Sequence, residues 1–83
     1  MDREFIINKL RENVCTVVFE KTNGDQRIME CTLSSRCIPE DKRPNGNGKV
    51  KPDHIINAFD VELGDWRSFN LDKIISFDVD FVA

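Results

Sequence analysis

Residues 75–81 alternate without a break: Ile75, Phe77, Val79 and Phe81 are separated by Ser76, Asp78 and Asp80. A period of two is the signature of a β-strand, whose successive side chains point to opposite faces. The apolar four are expected to face a core and the polar three to face water. The same period runs through 55–63, where Ile55, Asn57, Phe59, Val61 and Leu63 alternate with Ile56, Ala58, Asp60 and Glu62. It returns in 66–71, with Arg67, Phe69 and Leu71 on one side and Trp66, Ser68 and Asn70 on the other. Gly64-Asp65 supplies the turn between these two segments, and Asp72-Lys73 a tight or 3-10 turn before the last strand.

An earlier pair of strands is read from VCTVVFE at 14–20 and RIMECTL at 27–33, joined through Thr22-Asn23-Gly24. Asn and Gly tolerate the positive φ that tight hairpin turns demand. A two-residue loop pairs Val17 with Glu30. A three-residue loop with Gly24 in the left-handed region pairs Val17 with Met29 and Cys15 with Cys31 instead. The second register gathers Cys15, Val17, Met29 and Cys31 on one face, continued by Leu33, and leaves Thr16, Glu30 and Thr32 on the other. A one-residue slip turns every side chain over, so the cleaner partition is preferred.

Residues 2–13 read as a helix, with Asp2 as N-cap and Phe5, Ile6 and Leu10 on one side. So short a helix is not stable alone and must dock on the sheet. Residues 34–53 break all pattern. They hold the three prolines and the run Asn45-Gly46-Asn47-Gly48, which suits a flexible loop. Eighty-three residues allow one domain, 1–83: helix 2–13, hairpin 14–33, basic loop 34–53 and a three-stranded antiparallel meander 54–82. Short strands carrying most of six Phe cannot lie flat and hide them. Curling into a partly closed barrel hides both the apolar face and the edges. The expected fold is mainly β, a small α+β chain in which an N-terminal helix covers a five-stranded antiparallel SH3-like or Sm-like barrel.

Charge is segregated along the chain. Net charge is −3, yet residues 36–52 carry Arg36, Lys42, Arg43, Lys49 and Lys51 against Glu40 and Asp41. Residues 53–83 hold seven acids against Arg67 and Lys73. An acidic whole argues against a general nucleic-acid coat or a polyanion-seeking membrane binder. No apolar run approaches the roughly 18 residues that cross a bilayer. MDREF lacks the layout of a signal peptide, so the expected compartment is cytoplasmic.

Catalysis has little to stand on. One His, His54, and three Cys with no C-x-x-C pair give no nucleophile–base constellation. Nor do they make a convincing metal site, and no cofactor is expected. Gly46-Asn47-Gly48-Lys49 lacks the upstream strand and glycine spacing of a phosphate loop. Asp60, Glu62, Asp65, Asp78 and Asp80 are read as outward charges that keep strands soluble.

The segment DWRSFNLDKIIS at 65–76 resembles the C-terminal signature of WYL-type Sm-like barrels. In that signature an Arg, an aromatic and a Leu-Asp-basic-Ile turn lead into the last strand. Arg67, Phe69, Leu71, Asp72, Lys73 and Ile74 match, with Lys73 where the larger family usually has Arg. VVFEKTNGDQRIMECTL at 17–33, Ile38-Pro39 and FDVELGDWRSF at 59–69 follow the order of a smaller relative, the WYL-2 family of short, mostly bacteriophage-encoded proteins. The resemblance covers most of the chain. The Trp-Tyr-Leu triplet that names the larger family is absent, with Asn57-Ala58-Phe59 near its place.

The resemblance implies a non-enzymatic binding or regulatory barrel, a phage accessory factor that modulates a host protein. The candidate contact residues are Trp66 and Arg67, since Trp and Arg lead among interface hot spots. The alternative is a nucleic acid or nucleotide, with Arg27, Lys73, Lys42, Arg43 and Lys49 meeting phosphates and Trp66 stacking on a base. Homo-oligomerisation through open edge strands is a further expectation.

Overall fold

The computed structural model describes residues 2–43 and 53–83. Its helix, α1 (Arg3–Glu12), starts where Asp2 accepts the Glu4 N–H at 3.2 Å. It stops at Asn13, whose backbone N–H and side-chain amide both donate to the Lys9 carbonyl. Ile6 and Leu10 are fully buried against the sheet. Phe5, expected beside them, is half exposed at the margin of the stripe, where its ring meets Phe77 edge-on with centroids 6.4 Å apart.

β1 (Asn13–Glu20) and β2 (Gln26–Thr32) form the expected hairpin in the expected register, Cys15 opposite Cys31 and Val17 opposite Met29. Gly24 takes φ +90°, and Lys21 and Asp25 close the three-residue loop through a 2.7 Å backbone bond. Thr32 departs from expectation. The register puts it on the outer face, yet it is fully buried there. The junction of α1 and β1 covers it, and its hydroxyl donates toward the carbonyls of Leu10 and Asn13 and accepts from the Ser34 N–H.

β3 (Ile55–Asp60), β4 (Asp65–Asn70) and β5 (Ile74–Val82) complete one antiparallel sheet in the order β4-β3-β2-β1-β5. A 3-10 turn, Leu71–Lys73, carries the chain from one edge strand to the other. The core fills the concave side with Ile6 and Leu10, the inner residues of β1 and β2, and Ile56, Ala58, Phe69 and Leu71. The mainly β, Sm-like SH3-barrel fold read from the sequence is the fold observed.

β5 differs from its simple alternation. Cys15 faces Val79 and Val17 faces Phe77, but the ladder slips between Val18 and Phe19 and again between Val14 and Cys15. β5 therefore carries an extra residue at Ile75 and another at Asp80. Phe77 packs against the core, while Ile75, Val79 and Phe81 are about half exposed. Bulges re-aim side chains, and an edge strand has a neighbour on one side only.

The described part of the basic segment is held down. Ile38 is buried, and Arg43 donates to the carbonyls of Ile38 and Ser35. Lys49 and the Asn45–Gly48 run lie outside the described residues.

Candidate anion-binding cleft

β3 pairs with β4 over six residues but with β2 over only two, Cys31 opposite Asp60 and Thr32 opposite Phe59. The start of β2 runs beside the segment that follows β3, where the Val61 N–H donates to the Glu30 carbonyl, while the start of β3 extends past the end of β2. A cleft of about 370 Å³ lies between the β1–β2 turn and the paired ends of β3 and β4, within the size range of small-molecule sites. Phe19 of β1 and Phe69 of β4 stack across its floor with centroids 5.8 Å apart and planes 28° from parallel. Four cations, Arg27, Arg67, Lys21 and Lys73, and one acid, Glu20, line it.

Asp60 organises these charges. Its side chain is only 6% exposed, and a carboxylate so buried must be paired. Oδ1 accepts the N–H groups of Glu62 and Leu63, each at 3.0 Å, fixing the turn into β4. Gly64 closes that turn at φ +77°, donating its N–H to the Asp60 carbonyl. Oδ2 lies 4.0 Å from Arg27 Nη2 and 3.8 Å from Arg67 Nε. The two guanidinium groups reach it from β2 and β4, which are not neighbours in the sheet. Both Nε atoms are buried, and neither has a hydrogen-bond acceptor among the described residues. Two cations thus share one anion loosely, and donor capacity is left over.

Of the residues singled out from sequence, Arg27, Arg67 and Lys73 come together here. Trp66 sits next door, in a shallower hollow shared with Asn57, Leu63 and Arg67. Its indole is half-buried, edge-on to Phe59, and its N–H donates to the Lys42 carbonyl at 2.6 Å. Lys42 faces Asp65 at 3.7 Å and ties the loop to the body, while Arg43 bonds within the loop; neither lines the cleft. Asp60 was read as an outward, solvated acid; its buried position corrects that. The signal was its parity with Ile56 and Ala58, both core residues. Lys21 and Phe19 carry no signal of their own in the sequence, since only the folded sheet brings the β1–β2 turn against the ends of β3 and β4.

Cys15 and Cys31 lie opposite each other, fully buried as free thiols. Burial pushes their pKa up to about 11 and about 12, with the charge of Asp80 adding at Cys15 and the neighbouring Cys15 at Cys31. Neither is poised as a nucleophile. Among the described residues no group of three His, Cys, Asp or Glu is placed to hold a metal ion, and no helix is long and apolar enough to cross a membrane.

A helix docked on a bent, partly open five-stranded antiparallel sheet, with a cleft at one end, defines a small Sm-like barrel. The family model WYL_2, described as an Sm-like SH3 beta-barrel fold, matches residues 3–75, and the chain belongs to that family. It is similar to a protein of Enterobacteria phage T4 named "Uncharacterized 11.5 kDa protein in Gp31-cd intergenic region". The two are 42% identical over 77 residues, spanning 89% of this chain and 74% of the relative. No solved structure matches the chain.

Proposed function

We propose that this chain is a non-enzymatic binding module whose cleft takes a phosphate-bearing, ring-containing partner, a nucleotide or a single-stranded nucleic acid. One observation carries the reading: Arg27 and Arg67 converge on a single buried carboxylate and keep buried Nε donors with no acceptor among the described residues. A guanidinium suits phosphate because its planar fork donates to two oxygens at once. Lys21 and Lys73 add point charges on the same rim, and the Phe19–Phe69 pair offers an apolar floor beside them. Both rings are buried, so the aromatic left beside the cations for a base is the half-buried Trp66 of the neighbouring hollow. Base–aromatic stacking next to cations is a common way to hold nucleic acid without reading its sequence.

Neither comparison indicates an enzymatic family. Kinship with a phage T4 protein supports the wider setting, a phage accessory factor working in the host cytoplasm and modulating a host protein.

Calorimetric titration with ATP and with a short oligothymidylate, both at low salt, tests the cleft. Saturable binding is expected, weakened about tenfold or more in a Lys21→Ala/Lys73→Ala variant that leaves Asp60 and its arginines in place. Absence of binding to both probes, or binding indifferent to the two lysines, overturns the reading.

A further inference from the structure

β5 is the longest strand of the sheet and lies at its edge, pairing among the described residues with β1 alone. Edge strands present a row of unpaired backbone groups, and proteins usually blunt them with Lys, Pro or brevity. β5, IISFDVDFV, has no Lys or Pro and is not short. The devices it carries are the bulges at Ile75 and Asp80 and the charges of Asp78 and Asp80, and the bulges bound the stretch between them. Ile74 and Phe77 pack against the core, but Ile75 is 51%, Val79 46%, Phe81 55% and Val82 77% exposed. Between the slips at Ile75 and Asp80, the residues Ser76, Phe77, Asp78 and Val79 pair regularly with Val18, Val17, Thr16 and Cys15. That leaves a straight four-residue window on an open edge.

The rows crossing the sheet at this window specify what fits next. One row runs Met29–Val17–Phe77 and another Cys31–Cys15–Val79, both belonging to the core face. The first ends in Phe77, partly buried with the exposed ring of Phe5 against it, and the second in the half-exposed Val79. The row between them runs Glu30–Thr16–Asp78 on the opposite face, and Asp80 joins it through its bond to the Thr16 hydroxyl. An added strand must therefore put apolar side chains opposite Phe77 and Val79 and a cation opposite Asp78. A second copy of β5 does not meet that need. Two-fold pairing centred on Phe77, Asp78 or Val79 sets the acids of the two copies opposite or diagonal to one another, which is destabilising.

We infer that β5 is a docking edge for an extended, basic segment of another protein, alternating Lys or Arg with Val or Ile, which adds as a sixth strand. Backbone pairing gives the affinity, and the alternation gives the specificity. The inference does not depend on the anion-binding reading, since the cleft and β5 use different residues.

The test is a synthetic octapeptide alternating lysine and valine, titrated into the isotopically labelled protein and followed by backbone NMR. Expected are amide shifts centred on 76–79, new protection of β5 amides from hydrogen exchange, and binding weakened about tenfold or more by Asp78→Lys. Asp78 is exposed, so this variant is expected to fold; Asp78→Asn, which removes the charge without reversing it, gives an intermediate loss. The same peptide N-methylated at alternate residues no longer binds. No binding of the octapeptide, binding unchanged by N-methylation, or binding indifferent to Asp78 each overturns the inference. So does self-association of the chain in ultracentrifugation that is abolished by Val79→Lys, which would assign the edge to a second copy.

Discussion

Asp60 supports both folding and the cleft, and the two roles respond in opposite directions to one substitution. Asp60→Asn keeps an oxygen for the Glu62 and Leu63 N–H groups but leaves Arg27 and Arg67 without their anion. Breaking a buried pair costs several kcal/mol, but both arginines are about a third exposed (32% and 38%), and solvent screens them. A loss of about 2 kcal/mol is expected in urea unfolding, together with tighter binding of oligothymidylate, because the cleft gains net positive charge. A substitution that weakened both properties would mean that the arginines need Asp60 to hold them in place. The buried thiols give a second residue-scale expectation. Their folded pKa values, about 11 and about 12, stand above the ordinary 9.0. Between those values the unfolded chain releases protons that the folded chain keeps, so stability falls as pH rises. The contribution is intact below about pH 9 and is lost as pH climbs toward the folded values. Urea midpoints measured from pH 8 to 11 should fall more steeply for the wild type than for a Cys15→Ala/Cys31→Ala variant, which starts lower but flatter.

At the scale of elements, helix α1 separates what periodicity reveals from what it hides. Spacing put Phe5, Ile6 and Leu10 on one side, but only Ile6 and Leu10 enter the core. Ile6→Ala should cost about 2–4 kcal/mol, the range for emptying a packed aliphatic site. Phe5→Ala should cost about 1 kcal/mol or less in the same chemical denaturation, despite removing the larger side chain. The hairpin register was legible because a one-residue slip exchanges the core set Cys15, Val17, Met29 and Cys31 for Thr16 and Glu30. The inward alternation of β5 was legible as a shared face, but not as a covered one. Alternation reports which side chains stand together, and whether anything lies over them depends on strand order and on the slips at Ile75 and Asp80. Thr32 escaped for a related reason, since its cover comes from the α1–β1 junction, far away in sequence. The cleft was half legible. Arg67 and Lys73 stood out in the motif at 65–76 and Arg27 as a candidate phosphate contact, but the meeting of the two arginines at Asp60 and of all three at the cleft follows from the way the sheet folds over.

Across the whole molecule, a net charge of −3 conceals a separation of sign. Arg27, Arg67, Lys21 and Lys73 gather at the mouth of the barrel, while Glu30, Asp78 and Asp80 share the outer face of β2, β1 and β5. Net charge alone would rank this chain among proteins that avoid polyanions, but local potential governs contact once separations fall below the screening length of roughly 8 Å at physiological salt. The cleft therefore predicts a shallow but definite salt dependence. With about three phosphates engaged, each releasing roughly 0.7 of a counterion from a single strand, the plot of log K against log salt for oligothymidylate should have a slope near −2. Lys73→Ala should reduce that slope by about 0.7 and weaken binding uniformly across base sequences, as loss of one phosphate contact does. A slope much steeper than −2 would require cations beyond the four at the cleft and would move the binding surface onto the basic segment around Arg36, Lys42 and Arg43. A slope near zero would mean that binding proceeds without phosphate contacts, and that the guanidinium pair serves the fold alone.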